Sequence, residues 1–180
     1  MDDRLSLEDR SGWPDALRVL EEAYPRAAWP QHPNFNDLVR FWLSRHLIFR
    51  RLLAQIEADT QNYMDGQTGF EEYAPRLSEL AGTLLNELHA HHQIEDHQYF
   101  PRLARLDARI TRGFEVLDAD HHAMDGLLHS AADAANTTLR TREAGPLLDE
   151  MTRFGRLLDR HLVDEEDLIV PVILSSGFRG

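Results

Sequence analysis

The chain has 180 residues, enough for one domain with a buried core, and carries 31 Asp+Glu against 19 Lys+Arg for a formal net charge of −12. With no basic tract, that balance speaks against nucleic acid and anionic membrane as partners, because phosphate binding needs clustered Lys and Arg. Cysteine is absent, which excludes disulfide scaffolds, thiolate zinc sites, iron–sulfur clusters and cysteine nucleophiles, so any metal has to be held by His and carboxylate.

The longest apolar run, Leu168 to Leu174, has seven residues, against the roughly 20 a membrane helix needs. Met1-Asp2-Asp3-Arg4 has neither the basic nor the apolar region of a secretory signal. Together with the missing cysteine this gives the expectation of a cytoplasmic chain.

Residues 1–33 read as an arm. Ser11-Gly12-Trp13-Pro14-Asp15 opens a short helix, with Pro and Asp in its first turn, that ends near Tyr24-Pro25. Trp29-Pro30 and His32-Pro33 then call for extended backbone, and Asn34 or Asn36 can cap the first long helix. Residues 34–175 hold four long helical segments, ahead of a tail at 176–180. The first repeats Phe35, Val39, Trp42, Phe49, Leu53 and Ile56 at helical spacing before the loop Asp65-Gly66-Gln67-Thr68-Gly69. The second, about 72–99, turns Leu77, Leu80, Leu84 and Leu88 inward and is expected to stop at Phe100-Pro101. The third, about 105–138, carries Ile110, Phe114, Leu117, Met124 and Leu128. After Ala144-Gly145-Pro146 the fourth carries Leu147, Met151, Phe154, Leu158 and Leu168, and is expected to halt at Pro171. No segment alternates with period two, so the expected fold is all-α: an antiparallel up-down four-helix bundle with an N-terminal arm containing a short helix.

The apolar stripes run through histidines. His46 falls between Trp42 and Phe49, His91 follows Leu84 and Leu88, His121 follows Phe114 and Leu117, and His161 follows Phe154 and Leu158. Glu95 and Glu165 lie four residues beyond His91 and His161 on the same faces. Burying two carboxylates costs several kcal/mol each unless a cation compensates, and neither stripe offers Lys or Arg. A buried metal cluster held by His46, His91, Glu95, His121, His161 and Glu165 satisfies every group together, and the mixed nitrogen/oxygen donors suit iron, manganese or zinc. Two octahedral ions offer about 12 positions; four imidazoles, two bridging carboxylates and one bridging oxygen leave about two open for a small ligand.

An internal repeat fixes the register. His91-His92-Gln93-Ile94-Glu95-Asp96 with Pro101 matches His161-Leu162-Val163-Asp164-Glu165-Glu166 with Pro171. His92 aligns with Leu162 and is expected beside the cluster or facing solvent. Asp96 and Glu166, about 100° around the helix from the paired glutamates, are expected to be exposed. His32, His89, His97, His122 and His129 read as solvated. Trp42, Phe49 and Phe154 read as core packing, and Tyr63, Tyr73 and Tyr99 as candidate hydrogen-bond donors to the cluster.

A lone His, a His-x-x-x-Glu, a second lone His and a second His-x-x-x-Glu on four helices resemble the hemerythrin-like (HHE cation-binding) family. The resemblance is carried by Phe41-Trp42-Leu43-Ser44-Arg45-His46, His91-His92-Gln93-Ile94-Glu95-Asp96, Asp120-His121-His122 and His161-Leu162-Val163-Asp164-Glu165-Glu166. It implies a centre of two non-haem iron ions, oxo/hydroxo-bridged and carboxylate-bridged, with zinc or manganese as substitutes. It also implies O2, nitric oxide or peroxide as the small ligand, in sensing or stress response. Oxygen-carrying members have a second His one turn after the third-helix His, where this chain has Asp125. That difference turns the expectation from reversible O2 storage toward sensing or redox turnover, and leaves open whether Asp125 touches metal. Ferritin-like bundles instead place Glu before His in Glu-x-x-His pairs, and none occurs here. The alternatives are a di-iron redox enzyme acting on peroxide or nitric oxide, and a metal-free helical interaction module. A sensing role is expected to need a signalling partner in trans, and the acidic surface suits a basic redox partner.

Overall fold

The computed structural model describes residues 5–180; the Met1-Asp2-Asp3-Arg4 reading and the first residues of the arm lie outside them. Asn36 starts α2 (Asp37–Met64) by accepting the backbone N–H groups of Leu38 and Val39 at 3.0 and 3.2 Å. Asn34 turns the other way and donates to the Leu174 carbonyl at 2.8 Å. Before it, the arm forms a 3-10 turn at Asp15–Leu17 and the short helix α1 (Val19–Ala23). The Trp29-Pro30 stretch departs from expectation, because Arg26–Gln31 is a 3-10 turn rather than extended chain.

After the loop at 65–69 come α3 (Phe70–Ile94), a π-helical turn at Glu95–Tyr99 and α4 (Phe100–Leu103). The helical path does not stop at Phe100-Pro101. In the π turn the Phe100 N–H bonds the Glu95 carbonyl five residues back, and Pro101 sits in the first turn of α4, where its missing N–H is tolerated. A 3-10 turn at Ala108–Ile110 leads into α5 (Thr111–Thr141), so the third long helix starts later than its apolar pattern suggests.

The last helix, α6 (Gly145–Ser176), runs straight through Pro171. An interior proline costs about 3 kcal/mol, but Leu168, Ile169, Val170, Val172, Ile173 and Leu174 flank it at 1% exposure or less. Each such side chain contributes roughly 1.5–3 kcal/mol on burial, so packing outweighs the lost hydrogen bond. Gly177 then closes the helix at φ 70°, a left-handed position that suits glycine.

The order of packing is α2 against α3 and α6, and α5 against α3 and α6, which closes an all-helical bundle; the described residues contain no strand. The apolar interior divides in two. One cluster gathers Phe49, Leu53, Leu77, Leu84, Leu88, Met124, Phe154 and Leu162. The other gathers Trp42, Phe100, Phe114, Leu117, Leu168 and Ile169, and includes Trp13, Leu17, Leu20 and Trp29 of the arm. On every long helix the histidines and glutamates fall between a residue of one cluster and a residue of the other, so they form a polar layer with apolar floors above and below. No helix among the described residues is long and apolar enough to cross a membrane.

Candidate metal centre

All six residues singled out from sequence meet in this layer. Four helices deliver imidazoles whose Nε2 atoms face one another in pairs: His46 and His91 at 3.2 Å, and His121 and His161 at 3.1 Å. The two glutamates stand between the pairs. Glu165 Oε1 lies 3.4 Å from His46 Nε2, and its Oε2 lies 3.4 Å from His161 Nε2. Glu95 Oε1 lies 2.9 Å from His91 Nε2, and its Oε2 lies 3.6 Å from His121 Nε2. Each carboxylate therefore presents one oxygen to each pair.

Of the two readings for His92, the solvent-facing one is overturned and a place at the cluster stands. It is 2% exposed and stacks on His121 with centroids 4.0 Å apart and planes 12° apart. His92, His121 and His161 form one group whose donor atoms could share a cation, and His46, His91, Glu95 and Glu165 form the other. A helix in a four-helix bundle meets two neighbours, so its inward arc holds two adjacent residues: His91 serves the α2 side and His92 the α5 side. Asp125 is about half exposed and lies 3.7 Å from His89 at the surface, away from the layer.

Asp96 and Glu166 are also corrected, because both point inward enough to orient imidazoles. Asp96 Oδ1 accepts from His121 Nδ1 at 2.7 Å, and Glu166 Oε1 from His46 Nδ1 at 3.0 Å. Asp120 Oδ2 stands 3.4 Å from His161 Nδ1. A carboxylate on Nδ1 holds the proton there and leaves Nε2 as a bare lone pair aimed at the centre.

Sequence inspection missed the groups that stand behind these carboxylates. Arg10 of the arm is 5% exposed; it bonds Asp120 Oδ2 at 2.5 Å and Asp164 Oδ2 at 2.7 Å. Arg26, also from the arm, bonds Glu166 Oε2 at 2.6 Å, and Arg50 bonds its Oε1 at 2.9 Å. Partners this far apart in sequence carry no local signature, although the Asp immediately before His121 was a usable hint.

Trp42 does more than pack: its Nε1–H donates to Glu165 Oε1 at 2.5 Å. Phe49 places its ring 5.2 Å from that of His91, and Phe154 is core. The Tyr73 hydroxyl meets Thr60 Oγ1 and the Tyr63 hydroxyl donates to the Arg142 carbonyl, so neither serves the centre. Tyr99 packs edge-on against Trp42 at 4.8 Å. His89, His97, His122 and His129 are exposed, and His32 is half-buried against Tyr24.

Electrostatics without an ion are strained. Burial together with the facing Glu165 charge pushes the Glu95 carboxyl well above the usual range. Burial would also raise Glu165, but the His46 and His161 imidazoles outweigh it and hold Glu165 well below. For His46, burial opposes a charge, yet Glu165 and Glu166 push it up to about 9. Burial drives His91 down to about 3 and His92 well below the ordinary imidazole range. Among the described residues, both ring nitrogens of His92, both oxygens of Glu95 and Oε2 of Glu165 are buried without a hydrogen-bond partner. Each such group costs about 1–3 kcal/mol, and the arginines that compensate the outer carboxylates do not reach Glu95. Five imidazoles and two carboxylates converging on one buried layer, with His92, Glu95 and Glu165 Oε2 left unpartnered among the described residues, fit a cation, or two, of intermediate softness.

The profile of one family, described as the hemerythrin HHE cation binding domain, matches residues 21–173. No curated protein and no solved structure matches the chain.

Proposed function

The chain belongs to the hemerythrin HHE cation-binding family, and on that premise we propose that its polar layer holds two non-haem iron ions and binds O2 or nitric oxide, in sensing or stress response inside a cytoplasmic compartment. His46 and His91 would hold one ion and His92, His121 and His161 the other, with Glu95 and Glu165 each able to offer an oxygen to either side. The observation that carries this reading is the placement of both carboxylates with one oxygen toward each histidine group, at 2.9 to 3.6 Å from the imidazole nitrogens.

When bound, such an iron pair supplies one- and two-electron redox chemistry and an open position for a diatomic ligand. The protein side of the work falls to named residues. Asp96, Glu166 and Asp120 face Nδ1 of His121, His46 and His161 and orient those three imidazoles with Nε2 toward the centre. Trp42 holds Glu165 by its indole N–H, and the apolar clusters on either side make a dry floor and ceiling for the layer. The donors are unequal: three imidazoles would serve one side and two, His46 and His91, the other. Asp125 stands apart from both groups, and His92 would make up the imidazole that Asp125 does not supply. The surface charge of −12 would favour a basic redox or signalling partner.

The test is metal content with the ultraviolet–visible spectrum of protein purified with iron and without chelator, before and after anaerobic reduction and exposure to O2 or nitric oxide. About two irons per chain, by the donor count, and absorption that changes with gas are expected. A metal-free preparation under those conditions would leave the helical interaction module as the better reading.

The pH dependence of metal uptake has a definite sign. At pH 7 the metal-free layer holds a proton on His46, raised to about 9. Ligation displaces it, so metal uptake should release about one proton and apparent affinity should rise as pH climbs toward 9. Calorimetry in buffers of different ionisation enthalpy measures this; pH-independent uptake would contradict it.

A further inference from the structure

Between α2 and α3 a cavity of about 280 Å³ opens to solvent and reaches His91 and Glu95 at its base. Its walls are apolar, with Leu38, Phe41, Trp42, Ile94 and Tyr99 among them. Charge is confined to the mouth, where Arg45 and Glu87 pair at 2.7 Å and so neutralise each other. The Trp42 N–H is committed to Glu165, leaving an aromatic face toward the cavity. Phe41 and Ile94, 61% and 45% exposed, put two large apolar side chains side by side on this one cavity.

The volume far exceeds what a diatomic gas requires. At a water-like share of roughly 30 Å³ per heavy atom the cavity holds about nine. An aromatic wall favours a ring held edge-to-face. The polar end of the cavity at His91 and Glu95, beside the proposed metal position, favours one small oxygen-bearing head. Because the rim charges are paired and the walls carry none, the ligand is neutral.

We propose that this cavity binds a neutral aromatic molecule of about nine heavy atoms bearing a single hydroxyl-type head, seated with that head at His91 and Glu95. The proposal rests on the metal-centre reading in one respect: the base of the cavity is the two-imidazole side, so the bound head would lie next to the ion held there. It defines a substrate class larger than a gas.

The probe is 2-phenylethanol, followed by ligand-observed NMR on the iron-loaded full chain and on the metal-free chain, with metal content measured in parallel. Binding with a dissociation constant on the order of 1 mM or tighter is expected for a ligand of this size. Ala90→Trp fills the cavity from its α3 wall and should weaken binding at least tenfold while leaving metal content unchanged. Phe41→Ala, at an exposed position that leaves the fold intact, should weaken it several-fold. No binding to the iron-loaded chain, or equal binding to wild type and Ala90→Trp, overturns the proposal and leaves the metal centre standing. Binding by a chain that takes up no metal supports the cavity and instead removes the metal reading.

Discussion

Replacing Arg10 by Met is expected to destabilise the protein by about 3–5 kcal/mol, the usual penalty for removing one partner of a buried ion pair. A native domain has only about 5–15 kcal/mol in hand, so the variant should unfold at markedly lower denaturant. The cause lies in the charges left behind. Asp120 and Asp164 are both 2% exposed or less, and among the described residues Arg10 is the only Lys or Arg on Asp120. Asp164 keeps Arg160, which places its cost in the lower part of the range. Without the guanidinium the folded-state pKa of each carboxylate rises. The penalty therefore exists where the unfolded chain ionises them, above pH 4 or so, and shrinks as pH falls below it. Denaturant midpoints of variant and wild type at pH 7 and pH 4 measure that difference; a loss equal at both pH values would mean that packing of the Arg10 stem, rather than its charge, carries the effect. A second readout separates structure from site. Asp120 orients His161, so metal affinity should fall roughly ten- to a hundredfold, in the manner of lost carboxylate support to a ligating imidazole. The triple variant Arg10→Met, Asp120→Asn, Asp164→Asn should recover most of the stability and little of the affinity.

The same arginine shows where reading the sequence stops. The bundle was legible because apolar residues at helical spacing report a face without knowledge of the partner, and His46, His91, His121 and His161 were legible because they interrupt that face. Arg10 pairs with residues 110 and 154 positions away, and such a pairing leaves no local pattern. Proline misled at two places. Pro101 and Pro171 are helix breakers by propensity, yet α4 takes the first in its opening turn, where no N–H is needed, and α6 contains the second because tertiary burial exceeds the local penalty. His92 was half legible, for a different reason. The repeat aligns it with Leu162, which is apolar and buried, and an apolar counterpart suggests a position off the cluster. It shows instead that this register faces the interior in both halves, filled by Leu in one and by imidazole in the other. Asp96 and Glu166 obey the same logic, since a 100° rotation from a central residue still points at a neighbouring helix in a bundle.

That equivalence makes His92→Leu the sharpest test of the centre, because the repeat demonstrates that Leu fits this register. In the metal-free protein the change removes an imidazole whose two ring nitrogens have no partner, and it should stabilise by about 1–3 kcal/mol. The melting temperature would rise by roughly 2–4 °C per kcal/mol for a chain of this size. With metal the sign reverses. Binding free energies of about 10–16 kcal/mol spread over four protein ligands amount to about 3 kcal/mol each, so losing one donor should weaken the ion on the His121–His161 side by more than a hundredfold. Stoichiometry should fall toward one ion at limiting metal, and the stabilisation that bound metal confers by mass action should shrink with it. The two melting curves therefore cross: His92→Leu above wild type with chelator present, below it with iron. Asp125→Ala is the matched control, at the position where a second third-helix histidine was sought, and it should leave both curves and the metal count unchanged. Retention of two tightly held ions by His92→Leu would remove His92 from the ligand set and return the centre to four imidazoles, with the extra vacancy falling on the α5 side, away from the cavity.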